Sequence, residues 1–183
     1  MRAKWLWVTW LAGAAATGCG EGRVIFNVDV LSFLRPTGGD TIHYDVPGGL
    51  TVDSTVSEFF ALPGGFGKST VNSVSITGAA ALDNSGGGGS VVFDIFFAKS
   101  QAALFAPGSA YVSASSGHVS GVQSVQLLPP TSVSPGDTVF NADSIWVGVR
   151  AQVTADPPLL PHMTGRLRMT ELTVQIVLND KLF

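Results

Sequence analysis

The sequence predicts an all-β fold, an antiparallel β-sandwich of about nine or ten strands. Three observations predict it. Apolar and polar residues alternate with period two in segment after segment, giving each segment one face for a core and one for water. Clusters of Gly, Pro, Asp and Ser separate these segments at short spacing. No long stretch carries a helical period of apolar residues.

The strands follow in order. Val24, Phe26, Val28 and Val30 share a face, with Asn27 and Asp29 on the other. Ile42, Tyr44 and Val46 alternate with Thr41, His43 and Asp45. Leu50 and Val52 begin a strand that Val56 to Leu62 extends, and residues 71–77 form another. Asp83 to Gly89, with glycines at 86–89, reads as a flexible turn. Beyond it, Val91, Phe93, Ile95 and Phe97 share one face, while Val92 and Phe96 flank Asp94 on the other. Such a strand is expected to be central and buried on both sides. Residues 110–114 and 119–128 follow. Ile145, Val147, Val149, Ala151 and Val153 then stand against Trp146, Arg150, Gln152 and Thr154. In the last strand, Leu172, Val174, Ile176 and Leu178 are out of phase with Leu167 and Met169, which predicts a bulge near Thr170 and Glu171. Turns fall at Pro36 to Asp40, Pro63 to Gly65, Pro129-Pro130, Pro135 to Asp137 and Pro157-Pro158; residues 100–105 allow one or two helical turns. An immunoglobulin-like or jelly-roll sandwich over 23–183 suits this spacing, as one domain without an internal repeat.

Composition narrows the function classes. Hydrophobic residues make up 45% and charged residues 13% of the chain. The charged share is about half the ~25% usual for soluble domains. Arg2 and Lys4 lie in a leader; the other eight basic side chains face thirteen acidic ones, a net charge of −5. No Lys/Arg cluster lies outside the leader, so nucleic acid is not an expected partner. One cysteine allows no intrachain disulfide and no thiolate metal cluster.

That cysteine, Cys19, closes the leader. Arg2 and Lys4 give it a basic start, an apolar run spans Trp5 to Ala16, and small residues lead to the junction. This is the layout of an export signal over 1–18. Ala16, Thr17, Gly18 and Cys19 resemble the lipobox of bacterial lipoproteins, with Ala16 where that family usually has Leu. The resemblance covers about twenty residues. It implies cleavage before Cys19, a lipid on its sulfur, and a place in the cell envelope on the periplasmic or outer side. Gly20, where an inner-membrane retention signal has Asp, points to the outer membrane. Uncleaved, the same run is a membrane anchor, at the short end of the roughly 20 residues that a spanning helix needs. Trp5, Trp7 and Trp10 then sit at the membrane interface. In either case the tether, residues 19–22, is short. At about 3.5 Å per residue it holds the domain within ~15 Å of the bilayer. An outer-membrane barrel does not fit, because alternate positions back from Phe183 are Lys181, Asn179, Val177 and Gln175.

No motif specifies chemistry. Gly67, Lys68, Ser69 and Thr70 match the end of a phosphate loop, but Leu62 stands where its first glycine belongs and a strand pattern follows. His43, His118 and His162 share no ligand spacing. Ser120 lies one position off a nucleophile elbow. Asp137, Asn141 and Asp143 carry calcium-type oxygens without the loop that would aim them. Asp94 reads as a buried hydrogen-bonded carboxylate or a rim residue. No enzyme, cofactor or metal is therefore expected.

Apolar side chains in loops and on polar faces are the remaining signal: Phe33, Phe105, Leu159, Leu160, Met163 and Trp146. They either fold back onto the core or meet a partner. The expected function is that of a non-enzymatic, membrane-attached envelope protein. It would be an accessory or stabilising subunit docking onto a larger membrane complex, of which electron-transport and light-harvesting assemblies are examples. The alternative is a surface lipoprotein module that binds glycan or a small ligand.

Overall fold

A computed structural model describes residues 22–62, 70–157 and 161–180 and turns the alternation into ten strands. These are β1 (Gly22–Asp29), β2 (Thr41–Val46), β3 (Thr51–Ala61), β4 (Thr70–Gly86), β5 (Gly88–Ala98), β6 (Val112–Ser120), β7 (Gln123–Leu127), β8 (Ser132–Pro135), β9 (Ser144–Ala155) and β10 (Met163–Asp180). One helical turn, α1 (Leu31–Leu34), separates β1 from β2. Among the described residues no helix is long and apolar enough to cross a membrane.

Pairing is antiparallel throughout and nested. β1 and β2 follow each other along one edge of β10, whose other edge pairs with β4; β7 and β8 line the far edge of β4. The second sheet runs β3-β9-β5-β6. First strands thus pair with the last, β3 with β9, β4 with β7 and β8, and β5 with β6. That is one long hairpin rolled over itself, which defines a jelly roll rather than an immunoglobulin-like sandwich. Two of its positions are split. α1 breaks the first by driving Leu31 and Leu34 into the core. Pro129-Pro130 lies in the break between β7 and β8, where proline offers no N–H to a ladder.

The core lies between the sheets, and its fully buried Phe, Ile, Leu and Val side chains each contribute about 1.5–3 kcal/mol. β5 is buried on both faces, as its sequence predicts. Val91, Phe93, Ile95 and Phe97 join the main core. On the outer face, Phe96 and Ala98 pack with Leu104 from the segment that follows β5, which folds back across the sheet. Gly148 makes room for it: a Cβ there would lie 2.7 Å from Leu104 Cδ2 and 2.8 Å from the Phe105 ring. Asp94 is the buried hydrogen-bonded carboxylate. Its Oδ2 accepts from Arg150 Nη2 at 2.7 Å and Nε at 3.1 Å, and the guanidinium lies 5.0 Å from the Phe96 ring centre. Such hydrogen bonds offset the cost of taking a carboxylate out of water.

The bulge expected near Thr170 is present: the β10–β4 register shifts between Met169 and Glu171, which lets Leu167, Met169 and Leu172 all face the core. Three expectations are corrected. Asp83 to Gly86 is strand, and Gly87 alone turns the chain into β5. Neighbours hold these turn-forming residues extended: Ser124 Oγ and Arg166 Nε donate to Asp83, and Asn84 Nδ2 donates to the carbonyls of Gly87 and Gly121. Leu31 to Leu34 forms a helical turn, not a loop. Residues 132–135 form a strand beside β4.

The two ends of the sandwich differ in what they carry. At the near end the chain enters at Gly22 beside the end of β10, β3 ends, and the segments 99–111 and 136–143 cross. The Leu62 N–H donates to the Asp143 carbonyl at 2.8 Å there, tying β3 to the segment before β9. At the far end lie the connections after β2, β4, β6 and β9.

Candidate functional site

An apolar cleft opens in the near half of the sandwich, between the edge strands β1 and β3. Its volume is about 540 Å³. Val28 and Val30 form one wall, Phe60 and Leu62 the other, and Phe140, Ile145, Val174 and Ile176 line its depth. The sequence leaves it open for a local reason. β3 runs along the edge of its sheet, and none of its residues is fully buried. Its inward side carries Ser54, Val56 and Glu58, too short or too polar to fill the gap to β1.

Phe33, on α1, closes part of the mouth: its ring meets Phe60 edge-on at 5.4 Å and 86° and stays 55% exposed. Phe59, also 55% exposed, faces outward beside Phe60 and meets Trp146 of β9 at 5.6 Å. Glu58 is the one charged residue in the lining. The site can hold apolar matter by excluding water. Its lining assembles no nucleophile–base pair.

The sequence-predicted residues divide accordingly. Phe33 lies at the cleft mouth, whereas Trp146 stands on the outer face of β9, half-buried against Phe59 and the cluster of Phe96 and Leu104. Phe105 belongs to the folded-back segment itself and is half-buried on Phe96, with ring centres 5.2 Å apart. Met163 is a correction. It opens β10 opposite Val46 and is fully buried, its sulfur packed beneath Gly89, so no partner reaches it. Leu159, Leu160, Cys19, Trp5, Trp7 and Trp10 lie outside the described residues, as does the segment from Gly67 to Ser69. Phe59 was not singled out in the sequence, yet a signal existed. Two adjacent phenylalanines in a strand cannot both face the core, so one of Phe59 and Phe60 had to face out.

The polar residues form pairs elsewhere. His118 Nε2 lies 3.0 Å from Asp156, and His162 Nδ1 lies 2.8 Å from Asp45, both at the far end. Asp137 accepts from the Tyr111 hydroxyl at 2.6 Å and the Val139 N–H at 2.8 Å, and Asn141 accepts from the Val71 N–H at 3.4 Å. Burial, and then the bond to Asp137, push the Tyr111 phenol well above its usual range. Among the described residues no group of three or more His, Cys, Asp or Glu side chains is placed to hold a metal ion.

No protein-family model matches the chain, and no curated protein sequence does. Among solved structures it is similar to that of the infectious bursal disease virus Gx strain, with 13% identity over 87% of this chain and 36% of that one, at a TM-score of 0.41. The VP2 subviral particle of the same virus gives 9% identity over 86% and 37%, at 0.37. A family 11 carbohydrate-binding module from Clostridium thermocellum, in complex with a mixed-linked tetrasaccharide, gives 12% over 87% and 85%, at 0.22. The chain spans about a third of the length of the viral chains it matches. At such scores the strand pairing of the chain itself defines the fold: a jelly roll with an apolar cleft between two edge strands.

Proposed function

We propose that this protein is a non-enzymatic, membrane-attached envelope subunit that docks onto a larger membrane protein complex and stabilises it. The apolar cleft between β1 and β3 carries the reading. It lies in the half of the domain nearest the tether, so it faces membrane-embedded partners within reach of a few residues. Its partner is an extended apolar segment of such a protein. The edge of β3 that pairs with no strand among the described residues offers that segment main-chain hydrogen bonds, and the cleft takes its side chains, the usual logic of strand addition. Low charge and few acid–base groups suit an interface more than a reaction.

Gentle detergent extraction followed by native sizing tests this. Co-migration of the protein with a large complex is the expected result; migration alone at its own 19.0 kDa plus micelle overturns it. One observation favours a second reading: about 540 Å³ falls within the roughly 300–1,000 Å³ of small-molecule sites. With so apolar a lining the ligand would be a hydrocarbon-rich molecule, and glycan is the weaker form of that alternative.

A further inference from the structure

We infer that the near end of the jelly roll is a bilayer-contact surface. Its apolar rim, Val24 and Ile25 on one sheet and Phe59 and Trp146 on the other, rests in the membrane interface. The inference rests on the tethered reading above and names the surface that the tether presents.

The chain outside the structure argues for this occupant. Cys19 precedes Gly22 by three residues, and the apolar run Trp5 to Ala16 ends shortly before it. A lipid on Cys19 and a retained apolar anchor both fix Gly22 within roughly 10–15 Å of hydrocarbon. Gly22 pairs with Asp180 at the last rung of its sheet, so the end that carries it is the end held against the bilayer. The side chains there suit that place. Ile25 is 54% exposed and Phe59 55% exposed, two to three residues from the ends of their strands. Trp146 lies two residues into β9, half-buried, with an indole of the kind that prefers the interface.

Charge is mixed at both ends. Arg23, Lys99 and Asp143 are exposed at the near end, which also carries Asp137 and Asp180. The far half exposes Asp45 and Asp53 together with Arg166 and Arg168, along with the apolar residues Leu50, Val52 and Val122. What sets the near end apart is its aromatic pair, Phe59 and Trp146, of the class that prefers the bilayer interface.

The full chain, purified and reconstituted in vesicles of phosphatidylethanolamine and phosphatidylglycerol with brominated acyl chains, tests this. Three of the four tryptophans belong to the leader. Subtracting the emission of Trp146→Phe from that of the wild type therefore isolates Trp146 whether or not the leader remains. Phe59→Trp adds a second near-end reporter and Val122→Trp a far-end one. Brominated lipid should quench both near-end indoles about two-fold or more, as interfacial indoles are quenched, and leave the far-end one open to acrylamide. Equal quenching at the two ends, or none at the near end, overturns the inference. Vesicle flotation and intact mass report separately on the tether. A chain that floats with vesicles but shows no near-end quenching keeps the tether and sinks the inference. A chain that does not float sinks both.

Discussion

A buried amide ties the far end of the sandwich together, whereas the near half leaves an apolar cleft open between its sheets. At the far end the Tyr44 hydroxyl donates to Asn84 Oδ1 at 3.0 Å, and Asn84 Nδ2 donates to the Gly121 carbonyl at 2.7 Å and the Gly87 carbonyl at 3.2 Å. One buried amide thereby ties β2, the turn after β4 and the turn after β6. Two His–Asp pairs hold the connection between β9 and β10 to neighbouring strands. At the near end Asp137 accepts from Tyr111 and Asn141 accepts from the Val71 N–H, but β3 stands away from β1 and the cleft lies between them. A fold that satisfies its polar groups so fully at one end has the means to close the other. The open end is the part of the surface given over to an interaction, and the closed end fixes the topology.

The largest effect should come from breaking the closed end. Gly87 turns β4 into β5 at φ +69°, and a Cβ there would overlap the His162 carbonyl and lie 2.8 Å from Met163 Cα. Gly87→Val combines a left-handed backbone with a clash against main chain, which cannot swing aside. A loss of more than about 3 kcal/mol is expected, enough to unfold a marginally stable domain. Urea titration followed by circular dichroism measures it. A melt like that of the wild type would show that the far end does not govern stability.

Tyr44 gives a smaller and pH-dependent effect. Burial, with some help from the Asp83 charge, raises its phenol from 10.0 to about 12. The unfolded chain releases that proton near pH 10 and the folded chain only near 12. The contribution of Tyr44 to stability is therefore whole below pH 10 and is lost as the pH climbs to 12. Tyr111, raised by burial and Asp137, adds a similar loss at alkaline pH. Tyr44→Phe should cost about 1–2 kcal/mol at neutral pH, because the buried Asn84 oxygen loses its donor. It should also remove the Tyr44 share of the alkaline slope. Urea midpoints between pH 9 and 12 check both; an unchanged slope would place the Tyr44 hydroxyl in water.

The same contrast explains how much was legible in the sequence. Strands with one core face announced themselves by alternation, and β10 even showed its bulge, because Leu167 and Met169 break phase with Leu172 at a known point. Asp83 to Gly86 misled because turn propensity is local, whereas Ser124, Arg166 and Tyr44 hold these residues extended from strands remote in sequence. The choice of jelly roll was hidden for the same reason: nested pairing is long-range, and spacing alone does not order the strands. At the cleft, Phe33 was legible as an apolar residue in a loop, while Trp146, legible as an aromatic on a polar face, packs on the outer cluster of Phe96 and Leu104. Phe105 and Met163 carried the same signal and folded inward, onto Phe96 and beneath Gly89. Exposure of an apolar loop residue depends on what covers it, and Gly148 and Gly89 supply that cover's fit from other strands.

The smallest effect on stability belongs to the open end, and it tests the comparison most sharply. Phe59 is more than half exposed and touches Trp146 edge-on, so Phe59→Ser removes little buried area. Surface changes of this kind usually stay within about 0.5 kcal/mol. The urea midpoint should therefore match that of the wild type. Native sizing after gentle extraction should not match: without Phe59 the mouth of the cleft loses an aromatic of the type that dominates interfaces, and co-migration with a large complex should weaken. A variant that keeps both its stability and its co-migration removes Phe59 from the interface. One that loses stability shows instead that Phe59 and Trp146 serve the fold, and that the near end is closed by aromatic packing as the far end is by hydrogen bonds.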